Sequence, residues 1–360
     1  MYTYSRSFRY DRMLREYFFI TKHRLLTEGE KVKGFIHAGI IILLLMVVVP
    51  LAIGLAGPGK KTGGLDVPEN KITVPKSVKV WIDEKSKPAD VDFEDYVACV
   101  VASEMPADFG EEALKAQAVA ARTYAMAKIL KYEESLPENH PAAPLCNTTH
   151  CQVYKTEKEL ISCHQEGWGQ EGWEKIKKAC KETKGELLYY DGNLVMQPLF
   201  FSSSGGQTEN SEDVFSGAYP YLVSVSSPYE EGASHLNEQK TFTLDEMRKK
   251  LKAAYGEKDT GQLRTDNIKI LSRTAGGRVD RMQIGDATFK GTEVRTALGL
   301  SSTLFSIAFE GSGKDAEITF TSSGSGHGVG MSQYGARGMA REGKTYKEIL
   351  THYYTGTVVY

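Results

Sequence analysis

Glu104 is the side chain whose setting in this sequence most asks for a chemical explanation. It closes the run Val100-Val101-Ala102-Ser103-Glu104, and Pro106 follows two residues later. Proline disfavours helix at the residue before it, so an apolar helix opened by Asp92 stops at about Glu104. There the negative end of the helix dipole raises a carboxyl pKa, the direction a general acid at neutral pH requires. Lys115 and Arg122, seven residues apart on an Ala-rich stretch that begins with Glu111 and Glu112, share one helix face. They either serve a site with Glu104 or pair as ordinary ions with Glu111, Glu112 and Glu104.

A second group of reactive side chains lies in the loop His140 to Cys151 (HPAAPLCNTTHC). His140, Cys146, His150 and Cys151 can supply the four N and S ligands of a closed tetrahedral zinc site, structural because no position is left open. A Cys146–Cys151 disulfide beside two unrelated histidines is the alternative. Of the other cysteines, Cys99 falls on the apolar helix as a buried thiol, and Cys163 and Cys180 can pair.

Two Gly- and Ser-rich stretches suit a polyhydroxylated ligand. Ser202 to Thr208 (SSSGGQT) follows a predicted strand and offers Ser203, Ser204 and Gln207. Tyr219 and Tyr221 follow, with rings able to stack on sugar faces. Ser322 to Ala340 (SSGSGHGVGMSQYGARGMA) aims His327, Gln333 and Tyr334, with a helix starting near Ser332. A Gly-rich turn before a helix can also cradle phosphate, but this one is too near the C-terminus for a dinucleotide fold to follow. Turn chemistry and core packing are the plain alternatives for these stretches.

The elements that must hold these residues read as α+β. Strands are predicted at Ser77–Ile82, Glu186–Tyr190, Val195–Ser202, Ile268–Arg273, Val279–Ile284 and Glu317–Thr321. Helices are predicted at Phe93–Ser103, on the Ala-rich stretch, at Leu244–Tyr255 after Thr243, and at Glu293–Leu298. Trp168 and Trp173 form either an aromatic wall or core. Nearly 300 residues follow the N-terminal region, enough for one large or two modest cores. Residues 34–56 carry no Asp, Glu, Lys or Arg and are long enough to cross a bilayer. Eight Lys and Arg between Arg6 and Lys33 precede them and place that end in the cytoplasm. The expected order is a basic cytoplasmic segment 1–33, a transmembrane helix 34–56, a Gly/Pro/Lys tether 57–76, and an extracytoplasmic mixed α/β domain 77–360 with long helices and antiparallel strands. The formal charge of −2 gives no broad electrostatic reason to expect a nucleic-acid partner.

The blocks YVACVVASEMPADFGEEALKAQAVAARTYAM and SGSGHGVGMSQYGARGMA, with FFSSSGGQTENSEDVF between them, resemble the signature blocks of the stage II sporulation protein D family. The resemblance covers about residues 77–360. It implies a membrane-anchored lytic transglycosylase that cleaves the β-1,4 bond after N-acetylmuramic acid in peptidoglycan and leaves 1,6-anhydromuramyl ends during engulfment in sporulation. By resemblance Glu104 is the catalytic acid and base. Lys115, Arg122, Ser203, Ser204, Gln207, Tyr219, Tyr221, His327, Gln333 and Tyr334 line the glycan cleft. His140, Cys146, His150 and Cys151 hold structural zinc, as in some clostridial members. The implied partners are glycan strands, a sporulation cell-wall amidase and a polytopic membrane protein. Relatives described as amidase enhancers imply the alternative, a non-catalytic glycan-binding recruiter.

Overall fold

The computed structural model describes residues 71–163, 169–313 and 316–360. The basic head, the apolar stretch 34–56, most of the tether and Trp168 lie outside the described residues. Among the described residues no helix is long and apolar enough to cross a membrane.

The chain enters through β1 (Ser77–Ile82), whose Val78 and Val80 alternate inward. It turns back antiparallel as β2 (Lys87–Asp92). Asp92 then caps α1 (Phe93–Glu104), its carboxylate accepting the N–H groups of Glu94 and Asp95. Such a cap is worth about 1 kcal/mol. After the Met105–Gly110 elbow comes α2 (Glu111–Glu134). Its alanines are buried on every side through the first two-thirds of its length, so α2 is a central post rather than an amphipathic surface helix. Helix α1 packs on it, and three later helices reach it.

The His/Cys loop contributes β3 (Leu145–Cys146), which pairs parallel with β1 through Val80↔Leu145 and Trp81↔Cys146. Then follow α3 (Glu157–Cys163) and α4 (Gly169–Glu182). Trp173 of α4 is fully buried, which resolves its part of the aromatic-wall question in favour of core. Short strands β4 (Leu188–Tyr190), β5 (Asn193–Leu194) and β6 (Phe200–Phe201) precede a one-turn helix α5 (Ser211–Val214).

A second apolar core begins at β7 (Glu238–Thr243) and α6 (Leu244–Ala254), the helix opened by a Thr243/Glu246 capping box. It continues through β8 (Ile268–Arg273), β9 (Val279–Ile284), β10 (Ala287–Lys290), α7 (Gly291–Leu298), β11 (Phe305–Glu310) and β12 (Glu317–Ser322). Its two antiparallel sheets run β10-β9-β8 and β11-β12-β7. The chain then returns to the first core as β13 (Met331–Ser332), α8 (Gln333–Arg341), α9 (Tyr346–Tyr353) and β14 (Thr357–Val359). Strand β13 pairs parallel with β6, and β14 pairs antiparallel with β4. Two cores, antiparallel strands and one 24-residue helix make the described part α+β.

Candidate active site and metal loop

Glu104 is the last residue of α1 and is half-buried. Its Oε1 accepts the Val153 N–H at 3.1 Å. Burial pushes its carboxyl pKa up, and the Val153 N–H and the nearby Gln333 side chain offset part of that rise. No neighbouring carboxylate contributes to the shift. The Gln333 Nε2 is itself buried without a hydrogen bond of ordinary geometry. The elbow following Glu104 is fastened by Lys175, whose Nζ donates to the Ala107 and Phe109 carbonyls at 2.8 and 2.7 Å. Phe109 meets Tyr334 edge to face at 5.2 Å between centroids. Helix α8 therefore brings Gln333 and Tyr334 to the Glu104 end of α1.

The two cations expected beside Glu104 have other work. Arg122 is fully buried. Its Nη2 pairs with Glu94 at 2.7 Å and reaches the Cys180 carbonyl at 3.2 Å, while Nη1 reaches the Glu186 carbonyl at 3.3 Å. Glu94 lies in the first turn of α1 and Glu104 in its last. Ten residues of helix, about 15 Å, separate them. Arg122 thus ties α1, α2 and the segment after α4 together and has no surface to offer a glycan. Lys115 is held among Glu112 at 2.9 Å, Glu182 at 2.7 Å and Glu111 at 3.5 Å. For Lys115 the ion-pair alternative describes the structure, with Glu182 the partner that spacing could not reveal.

Several other expected glycan contacts are internal. His327 is the sharpest correction. Its Nε2 donates to the Phe200 carbonyl at 3.1 Å, and its Nδ1 accepts the Val329 N–H at 3.1 Å. Both ring nitrogens are spent, the ring lies against Phe201 and Phe215, and burial pushes its pKa down to about 4. A neutral imidazole so engaged braces the loop. The glycines beside it admit that close packing: at Gly330, with φ of 81°, a Cβ would stand 2.0 Å from the Leu199 carbonyl oxygen. Ser203 and Ser204 are fully buried, and Tyr221 is buried with its hydroxyl accepting the Gln197 N–H at 3.1 Å. These three belong to the interior. Gln207 and Tyr219 are half-buried, Gln207 donating to the Ser224 hydroxyl at 2.8 Å.

Sequence reasoning missed what organises these turns. Glu230 is buried and accepts hydrogen bonds from Ser204 N–H, Gly205 N–H, and the hydroxyls of Ser204, Ser227 and Ser332 at 2.5–2.9 Å. Ser332 in turn caps α8, accepting the Gly335 N–H at 3.1 Å. One carboxylate therefore fixes the Ser/Gly turn and the start of the helix carrying Gln333. Flanked by Tyr229 and Glu231 in an exposed stretch of sequence, it carries no local signal. The clue was on the other side, in a run of hydroxyl and glycine donors needing an acceptor.

His140, Cys146, His150 and Cys151 do converge. Their ligand atoms all lie within 4.8 Å of one another. His140 Nε2 is 3.2 Å from His150 Nδ1, and the N–S separations include 3.5, 3.7 and 3.8 Å. Zinc bonded tetrahedrally to N and S at ordinary lengths sets N–N edges of about 3.3 Å and N–S edges of about 3.6 Å. The donor set fits. His140 Nδ1 donates to the Ala143 carbonyl at 2.8 Å, which fixes the tautomer with Nε2 free toward the centre of the cluster. Hydrogen bonding between the two thiols, with Thr148 beside them, pushes the Cys146 pKa down and the Cys151 pKa up. All five cysteines are free thiols, Cys163 exposed and Cys180 buried, so neither the alternative Cys146–Cys151 disulfide nor a Cys163–Cys180 pair forms. The loop leads straight to Glu104: Cys151 is followed by Gln152, which bonds the Tyr96 hydroxyl at 3.1 Å and the Ala121 carbonyl at 3.2 Å, and then by Val153.

A family model described as stage II sporulation protein matches residues 83–190, the span holding Glu104 and the His/Cys loop. The chain is 37% identical over 337 residues to stage II sporulation protein D of Bacillus subtilis, covering 89% of this chain and 93% of that protein. It belongs to the stage II sporulation protein D family. The Bacillus amyloliquefaciens member is 36% identical over 89% of this chain and 94% of its own length. A Bacillus subtilis protein called amidase enhancer is 31% identical over 72% of this chain but only 39% of its own length. A domain of unknown function matches residues 221–330, which take in most of the second core of this family member.

Proposed function

We propose that this family member is a membrane-anchored lytic transglycosylase of peptidoglycan, with Glu104 as its one acid and base. The observation that carries the reading is a half-buried carboxyl at the end of α1, its pKa raised by burial, with no carboxylate among the described residues contributing to that rise. Ordinary glycoside hydrolysis uses two carboxyl groups flanking the bond. Lytic cleavage uses the C6 hydroxyl of the muramyl sugar as nucleophile, so one carboxyl suffices. Neutral Glu104 gives its proton to the departing glycosidic oxygen. The carboxylate so formed takes the C6 hydroxyl proton as that oxygen closes on C1. Glu104 ends as it began, and a 1,6-anhydromuramyl end results without consumption of water.

The Val153 N–H steadies the carboxylate half of this cycle, while burial favours the acid half. Gln333, buried beside Glu104, helps to hold the carboxylate form. His140, Cys146, His150 and Cys151 hold zinc, which when bound supplies a cross-link with no open coordination position. The apolar stretch 34–56 is the anchor, and the domain works outside the membrane in engulfment, beside an amidase and a polytopic partner.

A second reading, a glycan-binding recruiter of an amidase, draws support from the relative called amidase enhancer. Assay of purified glycan strands with wild type and Glu104→Gln separates the two. The lytic reading expects turnover to fall at least about 100-fold in the variant with glycan binding kept. Equal effects of wild type and variant on an amidase, with no strand cut by either, would favour the recruiter.

A further inference from the structure

A cleft of about 550 Å³ opens between α5 and the β8, β9 and α7 elements of the second core. None of Glu104, Val153, Gln333 and Tyr334 lines it. Four elements send cations to it: Arg273 ends β8, Arg281 lies on β9, Lys290 ends β10 and Arg295 lies on α7. Buried Arg278 joins them from the turn between β8 and β9. The carboxylates of the lining are Glu209, Glu212, Asp213 and Asp280, so five cations leave an excess of one positive charge.

The carboxylates have partners. Glu209 accepts the Thr274 hydroxyl at 2.9 Å and stands 3.5 Å from Arg278. Asp213 accepts from Asn210 at 2.9 Å, Glu212 from Ser211 at 3.2 Å and Asp280 from Ser272 at 2.7 Å. Arg295 is left over. Its Nε donates to the Leu300 carbonyl at 3.3 Å, and no carboxylate among the described residues offsets the burial that pulls its pKa down. Its two Nη atoms have no partner among those residues and are not sealed from solvent, so that edge can be reached. Its charge also presses on Arg278, whose buried Nε lacks a hydrogen-bond partner. Two guanidinium groups that repel one another out of water are stabilised by an anion beside them.

The start of α7 adds donors. Gly291 and Thr292 line the cleft at the positive end of this eight-residue helix, and Arg295 lies one turn on from Gly291, on the same face. Only glycine fits at 291, because a Cβ there would stand 1.8 Å from the Val279 carbonyl oxygen. Helix N-terminal N–H groups with an arginine beside them suit phosphate. A tetrahedral oxyanion accepts from several directions, as donors from different elements require, whereas a carboxylate accepts in one plane. The single excess charge matches a phosphodiester, and Glu212 and Asp213 on the facing wall repel a long polyanion.

We infer that this cleft is a second binding site, for the phosphate of a glycerol phosphodiester held by Arg295, Lys290 and the first N–H groups of α7. It does not rest on the glycan-cutting reading.

Titration calorimetry of the full chain in a neutral detergent tests it, with glycerophosphoglycerol as the probe and acetate as the control. Wild type should bind the diester at least about 10-fold more tightly than acetate, and Arg295→Gln should weaken the diester at least about 10-fold, the size of a lost charge-assisted pair. Arg295→Lys should keep part of the affinity, and Glu104→Gln all of it. Circular dichroism and melting verify that the variants fold, and the preference of wild type over acetate needs no variant. The same titration in nanodiscs identifies the source. Loss of probe binding when phosphatidylglycerol replaces phosphatidylcholine assigns the site to a lipid headgroup, and retention assigns it to a soluble phosphate ester. Absence of diester binding by wild type, equal affinity for acetate, or an affinity unchanged in Arg295→Gln overturns the inference and leaves the role of Glu104 standing.

Discussion

At the scale of single residues, spacing and local context gave the direction of the Glu104 shift but not its cause. The dipole argument pointed upward, and burial is what raises the pKa. The sign for stability follows. A raised folded pKa means the native state binds the proton more tightly, so stability falls as pH climbs from the unfolded value of 4.5 through the folded one. Glu104→Gln removes that penalty. Its melting temperature should exceed that of wild type at pH 8, and the gap should close as pH falls below 4.5. His327 has the opposite sign. Its pKa is depressed to about 4, so its share of stability is present above the ordinary 6.5 and is lost as pH falls toward 4. Proton NMR of the histidines should show the His327 ring still neutral at pH 5.5, while an exposed histidine is charged. An imidazolium signal there would show the ring to be free for substrate after all. Lys115 and Arg122 went astray in the sequence for one physical reason. Spacing shows which residues share a helix face, not what packs on that face, and here α4 and its following segment cover it.

At the scale of elements, legibility followed local signals. Strand β1 and helices α1 and α6 were readable to within a residue or two, because alternation, the Asp92 cap and the Thr243/Glu246 box are written in adjacent positions. Strand β2 (KPADVD) has Pro88 and charged residues and earns its place only by pairing with β1. The two-residue strands β3, β5, β6 and β13 are too short to carry a period. Helix α4 opens on Gly169 and Gly172, poor helix formers that hide its start, yet it buries Trp173 and Ile176. Two predictions belong here. Glu230→Ala leaves the Ser204 and Gly205 N–H groups and the Ser332 hydroxyl without their acceptor, and urea unfolding should find a loss of about 3 kcal/mol or more. A loss under 1 kcal/mol would mean the turns hold themselves. Chelation of metal, or Cys151→Ser, should loosen the loop that presents Val153 to Glu104. The expected result is a drop in glycan turnover with far-UV circular dichroism nearly unchanged, since both apolar cores lie largely outside that loop. Full turnover by metal-free protein would remove the loop from the account.

At the scale of the whole molecule, the sequence allowed one or two cores, and the structure has two. The first carries α1, α2, α8 and the His/Cys loop, hence the candidate site. Among its strands, the second was legible only in β8, β9 and β12, because β7, β10 and β11 were not read, and β12 has no sheet without β7 and β11. What unites the account is one carboxyl that both gives and retrieves a proton. That claim is tested most directly by digesting glycan strands in H2(18)O and weighing the new muramyl ends by mass spectrometry. The account predicts anhydro ends containing no heavy oxygen from wild type, and no new ends from Glu104→Gln. Reducing ends carrying one heavy oxygen per cut would contradict it, because water would then be the nucleophile and a second base would have to exist.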